Sequence, residues 1–130
     1  MNKILDNLWL GDLNDASNLI KLKQHGITHI LQVAAGFKPA YPEDFKYKVI
    51  NVLDMPYVNI SRHFPVAIQF MKEGRAEGNS VLVHCYAGVS RSASCIIAFL
   101  MQECGLTFLE GMSFTRKKRP IVFPNFGFQR

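Results

Sequence analysis

The sequence has few cysteines and no long apolar run, and these two absences exclude whole classes of protein. Three cysteines, Cys85, Cys95 and Cys104, do not make the disulfide framework of a small secreted domain, so we expect a reducing compartment. Cys95 and Cys104 lie at helical positions, where we expect both to be buried as small apolar side chains. A membrane-spanning helix needs roughly 20 consecutive apolar residues, and no stretch of this chain approaches that length.

The start of the chain also lacks the features of a targeting segment. Met1-Asn2-Lys3-Ile4 is not the start of a signal peptide, and residue 2 is not the glycine that myristoylation requires. We therefore expect a cytoplasmic location, with the nucleus as an alternative, and no membrane anchor.

Metal-binding and nucleic-acid-binding patterns are missing as well. None of the four histidines lies at a ligand spacing from a cysteine, so we expect no metal and no other cofactor. The basic run at residues 116–119 has no interleaved aromatic residues, so we expect no nucleic-acid partner and interpret the run as a solvated helix face. The net charge of +5 suits acidic substrates, although surface lysines alone are enough to produce it.

The composition is that of one folded domain. At 130 residues, 48% hydrophobic and 19% charged, the chain can bury one sizeable core. No internal repeat, linker or low-complexity segment divides it. We therefore predict a single domain over residues 1–130, and we favour a monomer.

Predicted strands alternate with predicted helices along the chain. The strands are expected at residues 4–10, 27–34, 47–53 and 81–83, and the helices end near residues 24, 77 and 101, with a further helix after Thr107. Asp12 or Asn14 caps the first helix, and Asn59 or Ser61 the second. This alternation predicts an α/β fold, with a central, mostly parallel sheet flanked by helices on both sides.

Residues 81–93 are the most informative stretch, because they begin as a strand and end as a helix. Such a turn leaves several backbone N–H groups pointing the same way, and the helix dipole adds positive potential, so the site suits a phosphate dianion. Gly88 permits the backbone dihedrals of the turn, and Arg91 can clamp two phosphate oxygens. Cys85, at the floor of this positive site, would ionise more readily than a free thiol. The predicted phosphate-binding residues are Tyr86, Ala87, Gly88, Val89, Ser90 and Arg91.

This loop, His-Cys-x-x-Gly-x-x-Arg-Ser, resembles that of the cysteine-dependent protein tyrosine phosphatases, and its form is similar to the dual-specificity branch. Further similarity lies at residues 8–11, 26–31, 119–120 and 124–128, so the resemblance covers nearly the whole chain. It implies the cysteine-phosphatase fold and one catalytic domain without an added docking module, as in the small atypical members. It also implies hydrolysis of phosphotyrosine and of phosphoserine or phosphothreonine in protein substrates, through a cysteinyl-phosphate intermediate.

The reaction also needs an acid that protonates the leaving oxygen. Asp54 follows a predicted strand and precedes a proline turn, a position that suits this acid and an ordinary turn aspartate equally well. The family pattern Asp…Asn-x-Ser-x-x-Phe matches Asp54, Asn59, Ser61 and Phe64, so the resemblance implies Asp54 as the acid. Asp44 is the fallback.

Three further residues are candidates for supporting roles. Neighbouring side chains on a strand point to opposite faces, so we expect His84 to shape the loop as a buried, hydrogen-bonded residue rather than act as the base for Cys85. Ser92 is compatible both with a helix N-cap and, by resemblance, with a hydroxyl that donates to the Cys85 sulfur. Asn125 braces the loop by resemblance, and turn formation explains it equally well.

Two other functions stay open at this point. One is a phosphoprotein-binding scaffold with vestigial chemistry, against which the intact Cys85, Arg91 and Asp54 argue. The other is a phosphatase that acts on RNA ends or another non-protein phosphate ester. We expect residues 35–44 and the region of Tyr57 to form the wall of the pocket.

Overall fold

The computed structural model describes residues 1–54 and 59–124 and contains one five-stranded sheet. The strands are β1 (Asn2–Leu5), β2 (Leu8–Gly11), β3 (His29–Val33), β4 (Lys46–Ile50) and β5 (Val81–His84), in the spatial order β1-β2-β5-β3-β4. Only the β1–β2 pair among these strands is antiparallel, and the other three pairs are parallel. The sheet is therefore mostly parallel, as predicted.

Helices cover both faces of this sheet. They are α1 (Leu13–Ala16), α2 (Leu19–Gln24), α3 (Phe64–Gly74), α4 (Arg91–Cys104) and α5 (Phe108–Lys118), and a 3₁₀ turn, Ile60–His63, precedes α3. Alternate residues of the central strands face opposite sides: Val81 and Val83 pack with α3 and α4, whereas Leu82 packs with α1 and α2. Both faces of β5 are consequently buried, and the predicted α/β layering is confirmed.

Two predicted elements at the start of the chain are each split in two. The strand predicted over residues 4–10 is the β1–β2 hairpin, because Asn7 turns the chain with a φ of +65°. The first helix breaks after Ala16, because the Asn18 side chain accepts a hydrogen bond from the Lys21 N–H and starts α2. Asp12 rather than Asn14 caps α1.

Two other predicted boundaries also shift. The strand predicted to reach residue 53 ends at Ile50, where its partner β3 ends at Val33. The second predicted helix is a 3₁₀ turn followed by α3, which ends at Gly74. Neither Asn59 nor Ser61 caps α3, because that helix begins later, with Pro65 in its first turn.

The second half of the chain follows the predictions more closely. Gly105 ends α4 in the left-handed region, with a φ of +69°, and Thr107 forms the predicted capping box with Glu110 at the start of α5. Cys95 is fully buried, as expected, but the prediction for Cys104 was wrong. Cys104 is the exposed last residue of α4, past the part of the helix that packs on the sheet. Within the described residues, no helix is both long and apolar enough to span a membrane.

Candidate active site

The carboxyl ends of three parallel strands meet at one edge of the sheet, and Cys85 lies there. Gly11 of β2 and Gln32 of β3 are each in register with His84, the last residue of β5. Cys85 follows directly, 3% exposed, and a loop of residues 85–90 leads from it to α4. The N-terminal, positive end of α4 therefore adjoins the loop.

Four successive carbonyl oxygens of this loop accept hydrogen bonds from groups outside it. The donors are the Leu13 N–H to Tyr86 (3.0 Å), the Arg119 guanidinium to Ala87 and Gly88 (3.1 and 2.9 Å) and the Phe123 N–H to Val89 (2.8 Å). In a trans peptide, the carbonyl of one residue and the N–H of the next point in opposite directions. The N–H groups of residues 87–90 are thus turned away from these donors, toward the inner side of the loop.

Cys85 receives two contacts from this inner side. The Gly88 N–H donates to its Sγ atom at 3.3 Å, and the Ser92 Oγ atom lies 3.0 Å from the same sulfur. Ser92 is fully buried on the first turn of α4. The N-cap of α4 is Ser90, so of the two roles open for Ser92 the capping role is wrong.

Gly88 occupies a position that no other residue can take without strain. Its φ of +68° lies in the left-handed region. A Cβ atom at this position would lie 2.6 Å from the Gly11 carbonyl oxygen and 2.7 Å from the Arg119 Nη2 atom. The close approach of three segments thus requires glycine here.

Arg91 connects the loop with the segment that follows β4. Its Nη1 atom donates to the Val52 carbonyl at 3.0 Å, and its buried Nε atom has no hydrogen-bond partner within residues 1–54 and 59–124. A guanidinium beside a ring of inward N–H groups is an arrangement that binds an oxyanion.

The two candidate acids lie beyond opposite ends of the same strand, β4. Asp54 is exposed and follows Val52 by two residues, at the edge where β4 ends and Cys85 lies. Asp44 instead precedes the start of β4 and forms an ion pair with Lys23 at 3.2 Å. The structure therefore brings the Asp54 segment to Arg91 and leaves the fallback acid far from the loop.

His84 does not form a pair with the Cys85 sulfur. It is 1% exposed, and its Nδ1 atom lies 3.2 Å from the Cys85 carbonyl oxygen. Burial lowers the pKa of His84, although that hydrogen bond and the carboxylates of Asp12 and Asp15 oppose the change. A neutral imidazole that donates from Nδ1 would hold the Cys85 carbonyl, which agrees with the predicted shaping role.

Tyr86, the residue after Cys85, contacts a second aromatic ring. Phe37 stacks on Tyr86, with ring centroids 5.9 Å apart and planes at 26°. Gln32, buried in β3, donates from Nε2 to the Phe37 carbonyl at 2.9 Å and so ties the Phe37 backbone to the sheet. Phe37, from the predicted wall at residues 35–44, therefore contacts the loop that carries Cys85, and the wall itself stays a prediction. Tyr57 and Asn125, which also carried predictions, lie outside the described residues.

Arg119 is the residue that the sequence interpretation missed. It is 8% exposed, whereas residues 116–118 of the same basic run are exposed. The residue before a proline is pushed toward extended backbone, and Arg119, before Pro120, has φ −138° and ψ 91°. The prediction of a solvated helix face was therefore wrong for Arg119. The proline that follows it was the feature of the sequence that indicated a change of backbone at this residue.

No metal centre is found in the part of the chain that the structure describes. Among residues 1–54 and 59–124, no group of three His, Cys, Asp or Glu side chains is placed to hold a metal ion.

Comparison with protein families and curated proteins finds similarity over almost the whole chain. The family model for the dual specificity phosphatase catalytic domain matches residues 8–130. Dual specificity protein phosphatase 1 of Arabidopsis thaliana is 42% identical over 127 residues, which are 98% of this chain and 64% of that protein. MAP kinase phosphatase with leucine-rich repeats protein 2 of Dictyostelium discoideum is 49% identical over 96% of this chain and 18% of its own length. The chain thus spans less than two thirds of either relative.

Solved structures of similar proteins have the same fold as this chain. The human tyrosine phosphatase-like serine/threonine/tyrosine-interacting protein superposes with a TM-score of 0.95 and 35% identity, over 99% of this chain and 90% of that one. DUSP15 superposes with a TM-score of 0.93 and 37% identity, over 98% and 81%. The predicted cysteine-phosphatase fold is confirmed.

Proposed function

The chain belongs to the family of dual specificity phosphatase catalytic domains, and on this premise we propose that it is a protein phosphatase acting on phosphotyrosine and on phosphoserine or phosphothreonine. The observation that carries the proposal is the arrangement around Cys85: one loop places the Gly88 N–H at 3.3 Å and the Ser92 hydroxyl at 3.0 Å from its sulfur. The Arg91 guanidinium follows directly after this loop, on the first residue of α4. A module that only binds phosphoproteins does not require a cysteine sulfur that receives hydrogen bonds in this way.

In the first step, the substrate phosphate docks on the inward N–H groups of residues 87–90 and on Arg91. The Cys85 thiolate attacks phosphorus in line, so that an S–P bond forms as the ester P–O bond breaks. Asp54 gives its proton to the departing oxygen, and the protein product leaves with a free hydroxyl. The N–H groups are already turned inward before substrate arrives, so they stabilise the charge of the transition state without reorganisation.

In the second step, water replaces the protein as the reaction partner. Asp54, now ionised, accepts a proton from water as the water oxygen bonds to phosphorus. The S–P bond breaks and its electron pair returns to sulfur. Ser92 stabilises this thiolate by donating a hydrogen bond across the 3.0 Å contact. Inorganic phosphate leaves, and the enzyme is restored.

The aromatic pair beside Cys85 supports a dual rather than a strictly tyrosine-directed specificity. Tyr86 is 61% exposed, and Phe37, which stacks on it, is half-buried. An open ring pair of this kind offers stacking to a phosphotyrosine ring, yet it does not enclose the site as a deep slot. A shorter phosphoserine or phosphothreonine side chain can therefore reach the loop from the same side.

The test compares substrates and one variant side by side. The purified chain is assayed with a phosphotyrosine peptide, a matched phosphothreonine peptide and a 5′-phosphorylated RNA, and inorganic phosphate release is measured. We expect release from both peptides, and we expect the Cys85→Ser variant to bind phosphate without turnover. Release from RNA alone, or undiminished turnover by Cys85→Ser, would contradict the proposal.

A further inference from the structure

The Arg119 side chain is built into the outer side of the loop through all three of its nitrogen atoms. Nε donates to the Gly88 carbonyl at 2.9 Å and Nη2 to the Ala87 carbonyl at 3.1 Å. Nη1 donates to the Asn2 Oδ1 atom at 2.8 Å, and the Asp12 carboxylate lies 3.8 Å from Nη2. With every nitrogen engaged in this way, the buried guanidinium is not available to substrate.

The two hydrogen bonds that Arg119 donates to the loop differ in kind from the two that backbone N–H groups donate to it. The Tyr86 and Val89 carbonyls accept from backbone N–H groups, which follow from the course of the chain. The Ala87 and Gly88 carbonyls depend instead on a single side chain, 31 residues further along the sequence from Gly88. The orientation of two successive peptide groups therefore rests on one residue.

One of these peptide groups joins Arg119 directly to the sulfur. The Ala87 carbonyl and the Gly88 N–H belong to the same peptide unit and point in opposite directions. Arg119 donates to the first at 3.1 Å, and the second donates to the Cys85 Sγ atom at 3.3 Å. A cation on the carbonyl polarises the whole peptide unit, so the N–H becomes a stronger donor to a thiolate.

Loss of Arg119 would affect both peptide units at once. The Ala87 and Gly88 carbonyls would be left without their donor, and a buried carbonyl that lacks a hydrogen-bond donor destabilises the conformation that buries it. Rotation of either peptide would relieve this, but it would turn an oxygen toward the phosphate and an N–H away from it. Gly88, which has no Cβ atom, offers little resistance to such a rotation.

We propose that Arg119 is a positioning residue that fixes and polarises the Ala87–Gly88 and Gly88–Val89 peptide groups, so that their N–H groups face the sulfur and the bound phosphate. The inference rests on the proposed phosphatase function. It gives the loop one cation on its outer side, Arg119, in addition to Arg91 on the side that faces the substrate. It also assigns Arg119 a role that the exposed lysines before it do not share.

The experiment compares three variants of one basic run. Arg119→Met removes both loop contacts, and Arg119→Lys keeps the positive charge but lacks the planar fork that reaches two carbonyls. Lys117→Met removes an exposed charge from the same end of α5 and is the matched control. For each variant we measure kcat and KM across pH, thermal unfolding, and inorganic phosphate binding in a Cys85→Ser background.

Arg119→Met is expected to lower kcat/KM by about 10²-fold or more, as for the loss of one preorganised oxyanion donor. The pH profile of kcat/KM should also differ from that of the parent, because the Gly88 N–H would no longer be held toward the Cys85 sulfur. Phosphate affinity should fall in parallel. Arg119→Lys should recover only a small part of these losses, and Lys117→Met should stay within about twofold of the parent, since an exposed charge contributes little.

Three outcomes would overturn the inference. Full recovery by Arg119→Lys would assign the effect to charge alone. An unchanged pH profile and phosphate affinity in Arg119→Met would remove the positioning role, and equal losses in Lys117→Met would show a general electrostatic effect. If Arg119→Met does not fold, the pH profile and phosphate affinity of Arg119→Lys decide between positioning and charge. If the parent protein hydrolyses no ester, the proposed function fails, while phosphate binding in the Cys85→Ser background still tests the inference.

Discussion

The Ser92 hydroxyl lies 3.0 Å from the Cys85 sulfur, and both residues are buried. A hydroxyl at this distance can donate to a thiolate, and in the mechanism that we propose this thiolate is the leaving group of the second chemical step. The contact therefore favours breakdown of the cysteinyl-phosphate more than its formation.

Ser92→Ala should consequently slow the second step. Hydrogen bonds to charged groups are worth about 1.5–3 kcal/mol, so kcat is expected to fall by about 10- to 10²-fold. An aryl phosphate substrate should then show a pre-steady-state burst close to one product molecule per enzyme. Ser113→Ala, an exposed serine on α5, is the control and should leave both phases unchanged. A slower burst with an unaltered steady state would contradict this assignment.

Asp54→Asn should identify the general acid. Removal of a general acid lowers the rate by about 10²–10⁴-fold, and the loss should be smallest for substrates with an acidic leaving group. Asp44→Asn is the matched control, because Asp44 lies beyond the other end of β4, beside Lys23. Steady-state kinetics with a phosphothreonine peptide and a nitrophenyl phosphate measure both effects. Equal activity of the two variants would contradict the role of Asp54.

Gly88→Ala should show how much the tight packing of the loop contributes. Gly26 has nearly the same φ, +70°, but nothing lies within 4 Å of where its Cβ atom would be. Gly26→Ala should therefore lose only the strain of a left-handed residue, about 1–2 kcal/mol, and keep full activity. Gly88→Ala adds the overlap with Gly11 and Arg119, so we expect a larger loss in denaturant unfolding and a nearly inactive enzyme. Similar losses in both variants would contradict the packing argument.

Asp15 gives a prediction on pH and stability. Burial opposes its ionisation, but hydrogen bonds from Lys21, the Asp12 N–H and the N-terminal ammonium outweigh it and hold the pKa of Asp15 well below its usual range. A depressed pKa in the folded state stabilises the protein above the unfolded-state pKa of about 4. This stabilisation is lost as the pH falls below that value.

Asp15→Asn should therefore lower the free energy of unfolding at pH 7, by about 1.5–3 kcal/mol on the scale of a charged hydrogen bond. The difference from the parent protein should shrink as the pH falls toward 2. Urea unfolding at several pH values measures it. Asp6→Asn, at an exposed ion pair with Lys3, serves as the control, with no measurable effect expected. A difference independent of pH would show that the Asp15 charge is not responsible.

The sequence predicted the inner side of the site because the relevant chemistry is local. Cys85, Gly88 and Arg91 lie within seven residues at a junction of strand and helix, and the dihedral needs of such a turn are known from the residue types. The elements predicted least well depend on single side chains instead. Asn7 divides the first predicted strand because it adopts a left-handed turn. Asn18 divides the first predicted helix because its side chain accepts a hydrogen bond that starts α2. A hydrophobic pattern reveals neither effect.

The outer side of the site could not be predicted in the same way. Arg119 reaches Gly88 across 31 residues, and Gln32 in β3 holds the backbone of Phe37 in the following loop. Both are polar side chains that become buried only when the sheet is assembled, so periodicity assigns Arg119 to a solvated surface. The proline after Arg119 marks the backbone change, but not the partner.

The most direct test of the central claim is to trap the intermediate and locate its phosphate. A Ser92→Ala enzyme is mixed with a radiolabelled phosphotyrosine peptide, quenched within the burst, digested and mapped by mass spectrometry. We predict one labelled peptide, with the phosphate on the Cys85 sulfur, and no label in the Cys85→Ser, Ser92→Ala double variant. Phosphate on any other residue, or turnover without a label on Cys85, would contradict the account.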